Sequence, residues 1–248
     1  MTKVLENRIA VVTGASRGIG KYAALGLARK GAHVIALART QGGLEELDDE
    51  IKTAGGTATL VPADIKDYPA LDRLGAAIHE RWGKLDILIG NAGTLGSLSP
   101  LGHIEPRTWD DVMAINVTAN WRLIRSLDPL LKRSDDARAI FVTSGQAYKT
   151  TAYWGPYSTS KAALEGLVGT YAAENTTTTV SVNLFSPGPT ATRMRVQAMP
   201  GEDPETLASA EAVAEQLVQM CLPDFTARGA TYRYAPTGLF RFKRPAEA

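Results

Sequence analysis

Ile9-Ala10-Val11-Val12-Thr13-Gly14-Ala15-Ser16-Arg17-Gly18-Ile19-Gly20 is the stretch whose reading decides the fold. An unbroken apolar run comes first, the pattern of a strand buried on both faces. A glycine-rich turn follows. From about Gly18 to Arg29 the pattern is helical, with Gly31 as its C-terminal stop. Backbone N–H groups at a helix N-terminus point at an anion, and missing side chains let the backbone approach it. A glycine cluster alone says little, since ordinary turns use glycine freely. Here a strand precedes it and a helix follows, which favours a pyrophosphate over a plain turn.

Outward from this stretch, short apolar runs alternate with longer amphipathic ones. Strands are expected at His33–Leu37, Thr59–Val61, Leu85–Ile89, Ala139–Thr143, Val180–Leu184 and Thr231–Ala235. Helices are expected at Leu44–Thr53, Ala70–Arg81, Trp109–Lys132, Tyr157–Glu174 and Ala212–Cys221, with Pro129 ending or kinking the long one. Strands that are apolar on both faces and alternate with helices imply an α/β fold. The expected architecture is a Rossmann-like, doubly wound parallel sheet of about seven strands with helices on both faces. No linker, repeat or low-complexity tract divides the chain, so residues 1–248 are read as a single domain. Pro187 to Pro204, rich in Pro and Gly, is read as a long loop, a lid over the site that sets the substrate rather than a tolerated surface insertion.

Composition excludes several classes. Lys and Arg number 27 against 26 Asp and Glu, so nothing suggests a nucleic-acid or membrane surface. The N-terminal residues lack the apolar run of a signal peptide, and no stretch approaches the roughly 18 apolar residues of a membrane span. Cys221, the single cysteine, cannot form an internal disulfide and is expected in the core, which agrees with a cytoplasmic location. His33, His79 and His103 are scattered, so no metal site is expected.

The spacing Gly14-x3-Gly18-x-Gly20, Asn91-Ala92-Gly93 after the fourth strand, and Tyr157-x3-Lys161 later, taken together, resemble the short-chain dehydrogenase/reductase family over about residues 5–195. The resemblance implies a nicotinamide cofactor and a carbonyl or alcohol as small-molecule substrate. It places Gly14, Ser16, Arg17, Gly18, Ile19 and Gly20 at the pyrophosphate, Asp64 and Ile65 at the adenine, and Asn91, Ala92 and Gly93 beside the ribose. Asp64 could also cap a helix. Many relatives carry an Asn before Asn91; Gly90 stands there, which is expected to loosen the local hydrogen bonding. The end of the second strand, Ala38-Arg39-Thr40, lacks the carboxylate that would bind a ribose 2′-hydroxyl. Arg39 can fork onto a 2′-phosphate, with Arg17 closing from the turn, so NADP(H) is favoured and NAD(H) is the alternative. Pro187 and Gly188 match the nicotinamide-side loop, whose threonine is Thr192 by spacing or Thr190 beside it.

Reducing a ketone leaves negative charge on oxygen, so a proton must arrive and the oxygen must be held. Tyr157 and Lys161 lie one helical turn apart on one face. A Tyr with an ordinary pKa of about 10 exchanges protons poorly near neutrality, and a nearby ammonium would lower it. The family resemblance adds that Lys161 binds the nicotinamide ribose, that Ser144 at the fifth strand end assists the tyrosine, and that Asn116 holds a water in a proton relay. Singly, each has a bland reading: a surface Tyr–Lys pair, a turn serine, an exposed asparagine. Trp154, three residues before Tyr157, is a better substrate-side candidate than Trp121. The expected activity is NADP(H)-dependent interconversion of a secondary alcohol and a ketone or aldehyde. A dinucleotide-sensing or scaffold protein without catalysis is the rival from another class. The two long helices, the second carrying Ala162, Ala163, Gly166 and Gly169, suggest a homodimer or homotetramer, unless those small residues serve packing onto the sheet.

Overall fold

The computed structural model describes residues 3–149 and 151–242; Met1, Thr2 and the ends of the 1–248 span lie outside them. Among the described residues, ten strands and eight α-helices run in the order β1 Ile9–Thr13, α1 Gly18–Arg29, β2 His33–Ala38, α2 Gln41–Thr53, β3 Thr57–Pro62, α3 Tyr68–Trp82, β4 Ile87–Gly90, α4 Pro106–Met113, α5 Ala119–Leu131, β5 Ala137–Val142, α6 Gly155–Glu174, β6 Val180–Ser186, β7 Thr190–Ala191, α7 Arg193–Ala198, β8 Ala208–Ser209, α8 Ala210–Gln219, β9 Thr231–Arg233 and β10 Phe240–Phe242. Eight strands form one sheet in the order β10-β9-β6-β5-β4-β1-β2-β3, parallel except for β10. The run β3-β2-β1-β4-β5-β6 reverses direction between β1 and β4, which makes a crevice beyond the C-terminal strand ends there.

The side-chain period of two splits each central strand between two cores. Ala10, Val12, Val34 and Ala36 face α1, α2 and α8, joining Leu27, Leu47 and Leu217. Ile9, Val11, Ile35 and Leu37 face the other layer, joining Leu74 of α3, Leu127 of α5 and Leu164 of α6. Cys221 is buried in the first core. At the N-terminal sheet edge, the fully buried Asp86 carboxylate accepts from the Ile9 N–H, Ser134, Lys84 and Arg8 at 2.6–2.9 Å. Burial works to raise its pKa, but those bonds outweigh it and hold the carboxyl below the usual range. The cluster pins β1 to β4 at the end away from the crevice.

Three expectations are revised. Among the described residues the sheet has eight strands, because Phe240–Phe242 adds an antiparallel edge after β9. The long helix is not broken at Pro129: α5 runs through it and ends at Leu131. The irregularity lies earlier, where Ala114–Thr118 widens into a π-helical turn around Asn116. Finally, 187–204 is not one loop. It holds β7, paired with β8, and α7, capped by the Thr192 side chain and braced by an Arg195–Glu202 ion pair. Such two- to six-residue elements are too short to show a period.

Candidate active site

The crevice between the C-terminal ends of β1 and β4 opens into a cleft of about 1200 Å³. The glycine turn forms one wall. Gly14 and Gly18 have φ of +66° and +57°, the left-handed region that side chains rarely tolerate. Gly20 does not line the cleft but lets α1 close on the strand ends. A β-carbon there would stand 2.3 Å from the Gly14 carbonyl oxygen and 2.4 Å from Asn91 Nδ2. Gly20→Ala is therefore expected to push α1 outward, costing about 1–3 kcal/mol of stability and weakening dinucleotide binding at least tenfold. A denaturant titration and a nucleotide fluorescence titration check both.

Asn91 ties this wall to β4. Its Nδ2 donates to the Thr13 carbonyl at 2.9 Å, while the Asn91 and Ala92 N–H groups both donate to Thr13 Oγ1 at 3.0 Å. Gly90 does not leave these bonds loose. The Phe141 ring and the Asn120 amide occupy the space a side chain at position 90 would need, with Asn120 Oδ1 2.7 Å from a β-carbon placed there. Sequence patterns did not point to Thr13 or Asn120: the two N–H groups that Thr13 Oγ1 accepts from lie in the segment after β4, far along the chain.

Arg17 and Arg39 line the same end of the cleft, as do Ser16, Ile19, Asp64 and Ile65. Among the described residues, neither arginine is held in an ion pair. Asp64 accepts from the Lys66 N–H, and the cap of α3 is Asp67 instead. At the other end Ala92, Gly93, Pro187, Gly188, Thr190 and Thr192 line the cleft. Thr190 is buried, its hydroxyl directed to the Pro187 and Gly188 carbonyls. Thr192 stands over Gly18, 3.6 Å from a β-carbon placed on it.

Ser144, Tyr157 and Lys161 converge in the middle of the cleft. Pro156 stands in the first turn of α6, which carries Tyr157 and Lys161, and β5 delivers Ser144 to the same place. Trp154 packs edge-on against the Tyr157 ring at 5.9 Å, and Leu95, Met194 and Ala198 close over it. Burial pushes the Tyr157 phenol up; a hydrogen bond with Ser144 pulls the other way. Lys161 Nζ donates to the Val142 carbonyl at 2.8 Å, and burial pushes its pKa down to about 8, opposed by the charge of Glu165. For Tyr157, desolvation of the phenolate is the larger of its two influences and sets the direction. Glu165 was not anticipated; one turn beyond Lys161, it accepts from Thr143 Oγ1 at 2.8 Å.

Asn116 stands behind the wall, fully buried. Its Oδ1 accepts from the Thr94 N–H at 2.8 Å, and its Nδ2 donates to the Thr94 carbonyl and to Ser160 Oγ at 2.9 Å each. Its own carbonyl accepts from Asn120 Nδ2 at 2.8 Å. The widened turn therefore joins the segment after β4 to the helix that carries Tyr157 and Lys161.

The family model of short chain dehydrogenases matches residues 8–203. An uncharacterized oxidoreductase of Escherichia coli K12, YciK, is 37% identical over 207 residues, 82% of each chain. A short chain dehydrogenase of Shigella flexneri 2a, solved in complex with NADP, superposes with a TM-score of 0.88 at 34% identity, covering 94% of this chain and 99% of that one. Another, from Escherichia coli CFT073 in complex with NADPH, gives 0.87 at 34% identity, with 93% and 98% covered. With the strand order, the crevice and these likenesses in agreement, the chain belongs to the short-chain dehydrogenase/reductase family and is an oxidoreductase of that family.

Proposed function

We propose that the protein is an NADP(H)-dependent reductase of a small ketone or aldehyde, working also in reverse on the secondary alcohol. The observation that carries this reading is the meeting of the Ser144 and Tyr157 hydroxyls beside Lys161, in a cleft whose far end is a glycine cradle flanked by two unpaired arginines. The residues present fit the cofactor: a side chain on Gly14 or Gly20 would fill the space behind the cradle, and no carboxylate replaces Arg39 at the end of β2. In this reading Gly14, Ser16, Arg17, Gly18 and Ile19 hold the pyrophosphate. Arg39 and Arg17 hold the 2′-phosphate, Asp64 and Ile65 the adenine, and Asn91 to Gly93 with Lys161 the ribose. Pro187, Gly188, Thr190 and Thr192 wall the nicotinamide. The two structural relatives bound to NADP and NADPH support the choice of nucleotide.

Bound NADPH supplies the hydride. Ser144 Oγ holds the substrate oxygen, and Tyr157 donates its proton to it as negative charge develops. A phenol raised by burial stays protonated at neutral pH, ready to act as the acid in the reducing direction. Lys161, near pKa 8, lies close enough to neutrality to return a proton and to stabilise the phenolate once formed. Asn116 is a positioning residue, holding Thr94 and Ser160 against α6.

Arg39→Ala is expected to raise the Kd for NADPH by about 10- to 100-fold, the loss of a charge-assisted hydrogen-bond pair. The Kd for NADH should move less than twofold. Equal effects on both would favour NAD(H) as the working nucleotide.

The chain is read here as one domain working as a homodimer or homotetramer. In support, a β-carbon on Gly166 or Gly169 would meet nothing within 4 Å, so this face of α6 is open, while Leu164 and Val168 pack on the sheet. Trp121 on α5 is likewise exposed. Among the described residues, no helix is long and apolar enough to cross a membrane.

A further inference from the structure

The substrate half of the cleft contains a cation that the reaction above does not use. Strand β9 pairs in parallel with β6 so that Arg233 lies opposite Ser186, immediately before Pro187 and Gly188. Arg233 therefore stands at the C-terminal sheet edge, where it lines the cleft. Its guanidinium lies 4.0 Å from the Phe242 ring centroid and 5.1 Å from that of Tyr148, and the two rings stack on each other at 4.9 Å. The rings hold the guanidinium in place without supplying an anion. Among the described residues no carboxylate pairs with it, and burial lowers its pKa with no acid to offset the cost. Among the described residues the neighbouring Tyr148 hydroxyl, also buried, has no hydrogen-bond partner. This corner adjoins the reacting centre. A β-carbon on Gly145, the residue after Ser144, would stand 3.7 Å from Arg233 Nη2. Lys149 lines the same region, and Asp64, at the nucleotide end, is the one carboxylate lining the cleft among the described residues.

Building on the reductase reading, we infer that the substrate is an oxo acid, whose carboxylate is gripped by Arg233 while its carbonyl lies at Ser144 and Tyr157. A planar carboxylate matches a guanidinium fork, and a side chain at Gly145 would crowd both Arg233 and the Tyr148 hydroxyl. Because Arg233 adjoins the residue after Ser144, the inferred substrate is a short oxo acid, with carbonyl and carboxylate a few bonds apart.

The test compares levulinate with methyl levulinate, and, for binding, pentanoate with methyl pentanoate on the NADP-loaded protein by calorimetry. In the unaltered protein, kcat/KM for the acid is expected to exceed that for the ester by about 10- to 100-fold, the worth of a hydrogen bond to a charged group. Arg233→Gln should bring the ratio to about one and abolish pentanoate binding; Arg233→Lys should restore part of both. A merely structural arginine would change acid and ester alike. An acid-to-ester ratio of one or less in the unaltered protein overturns the inference without any variant. So does pentanoate binding that survives Arg233→Gln. If neither levulinate nor its ester is reduced, the reductase reading itself is in question, and the pentanoate measurement still decides the role of Arg233.

Discussion

Tyr157→Phe should lower kcat for carbonyl reduction by about a thousandfold, within the range that positioned acid–base groups contribute, while the Kd for NADPH moves less than twofold. The separation follows from the geometry. The ring keeps its place against Trp154, Leu95 and Met194, so the variant loses an oxygen and no packing. The hydroxyl's structural partner is Ser144, and losing one such bond costs about 1 kcal/mol. Stability should therefore stay within about that amount. Stopped-flow transients at saturating NADPH, together with a fluorescence titration, check rate and affinity separately. A drop in affinity matching the drop in rate would mean that Tyr157 is a binding residue and that the proton comes from elsewhere.

Lys161→Met should abolish turnover without destabilising the protein at neutral pH. The Lys161 pKa falls from 10.5 to about 8 because its charge is buried. The unfolded chain therefore binds more protons between these values, and stability rises with pH through that window. Below about pH 8 the full cost of burying the charge, about 3 kcal/mol, is present. Methionine removes that cost and gives up the bond to the Val142 carbonyl, worth about 1 kcal/mol. The variant should then be more stable than the unaltered protein by about 1–2 kcal/mol at pH 7, with the gap closing by pH 10. Denaturant midpoints at the two pH values measure it. A variant several kcal/mol less stable at pH 7 would show that Lys161 is a structural cation. With Lys161 in place, reduction should slow as pH rises through about 8, because the group that returns the proton is then neutral.

The glycine turn and the Tyr157–Lys161 pair were legible because each depends on neighbours within a few residues. A strand must precede Gly14, a helix must follow Gly18, and two side chains four apart on a helix must share a face. What stayed hidden depends on partners far along the chain. Asn120 fills the space above Gly90 from another helix. Thr13 collects two N–H groups from the segment after β4. Arg233 gains its meaning only from its register with Ser186. The long helix drew the expectation of a break at Pro129, yet α5 continues through it to Leu131. The real departure is at Asn116, where a polar side chain drawn fully inside widens the turn to reach Thr94 and Ser160. Buried pKa values were equally out of reach. Spacing placed Lys161 one turn from Tyr157, but the desolvation that raises the phenol is visible only once Trp154, Leu95 and Ala198 close over the ring.

The most direct measurement supplies NADPH deuterated at the transferring position with a panel of ketones, aldehydes and oxo acids, and follows the label by mass spectrometry. The expected result is deuterium on the former carbonyl carbon of at least one alcohol product, with the label appearing about a thousandfold more slowly in Tyr157→Phe. No labelled alcohol from any member of the panel, or equal labelling rates in the unaltered and Tyr157→Phe proteins, would contradict the assignment.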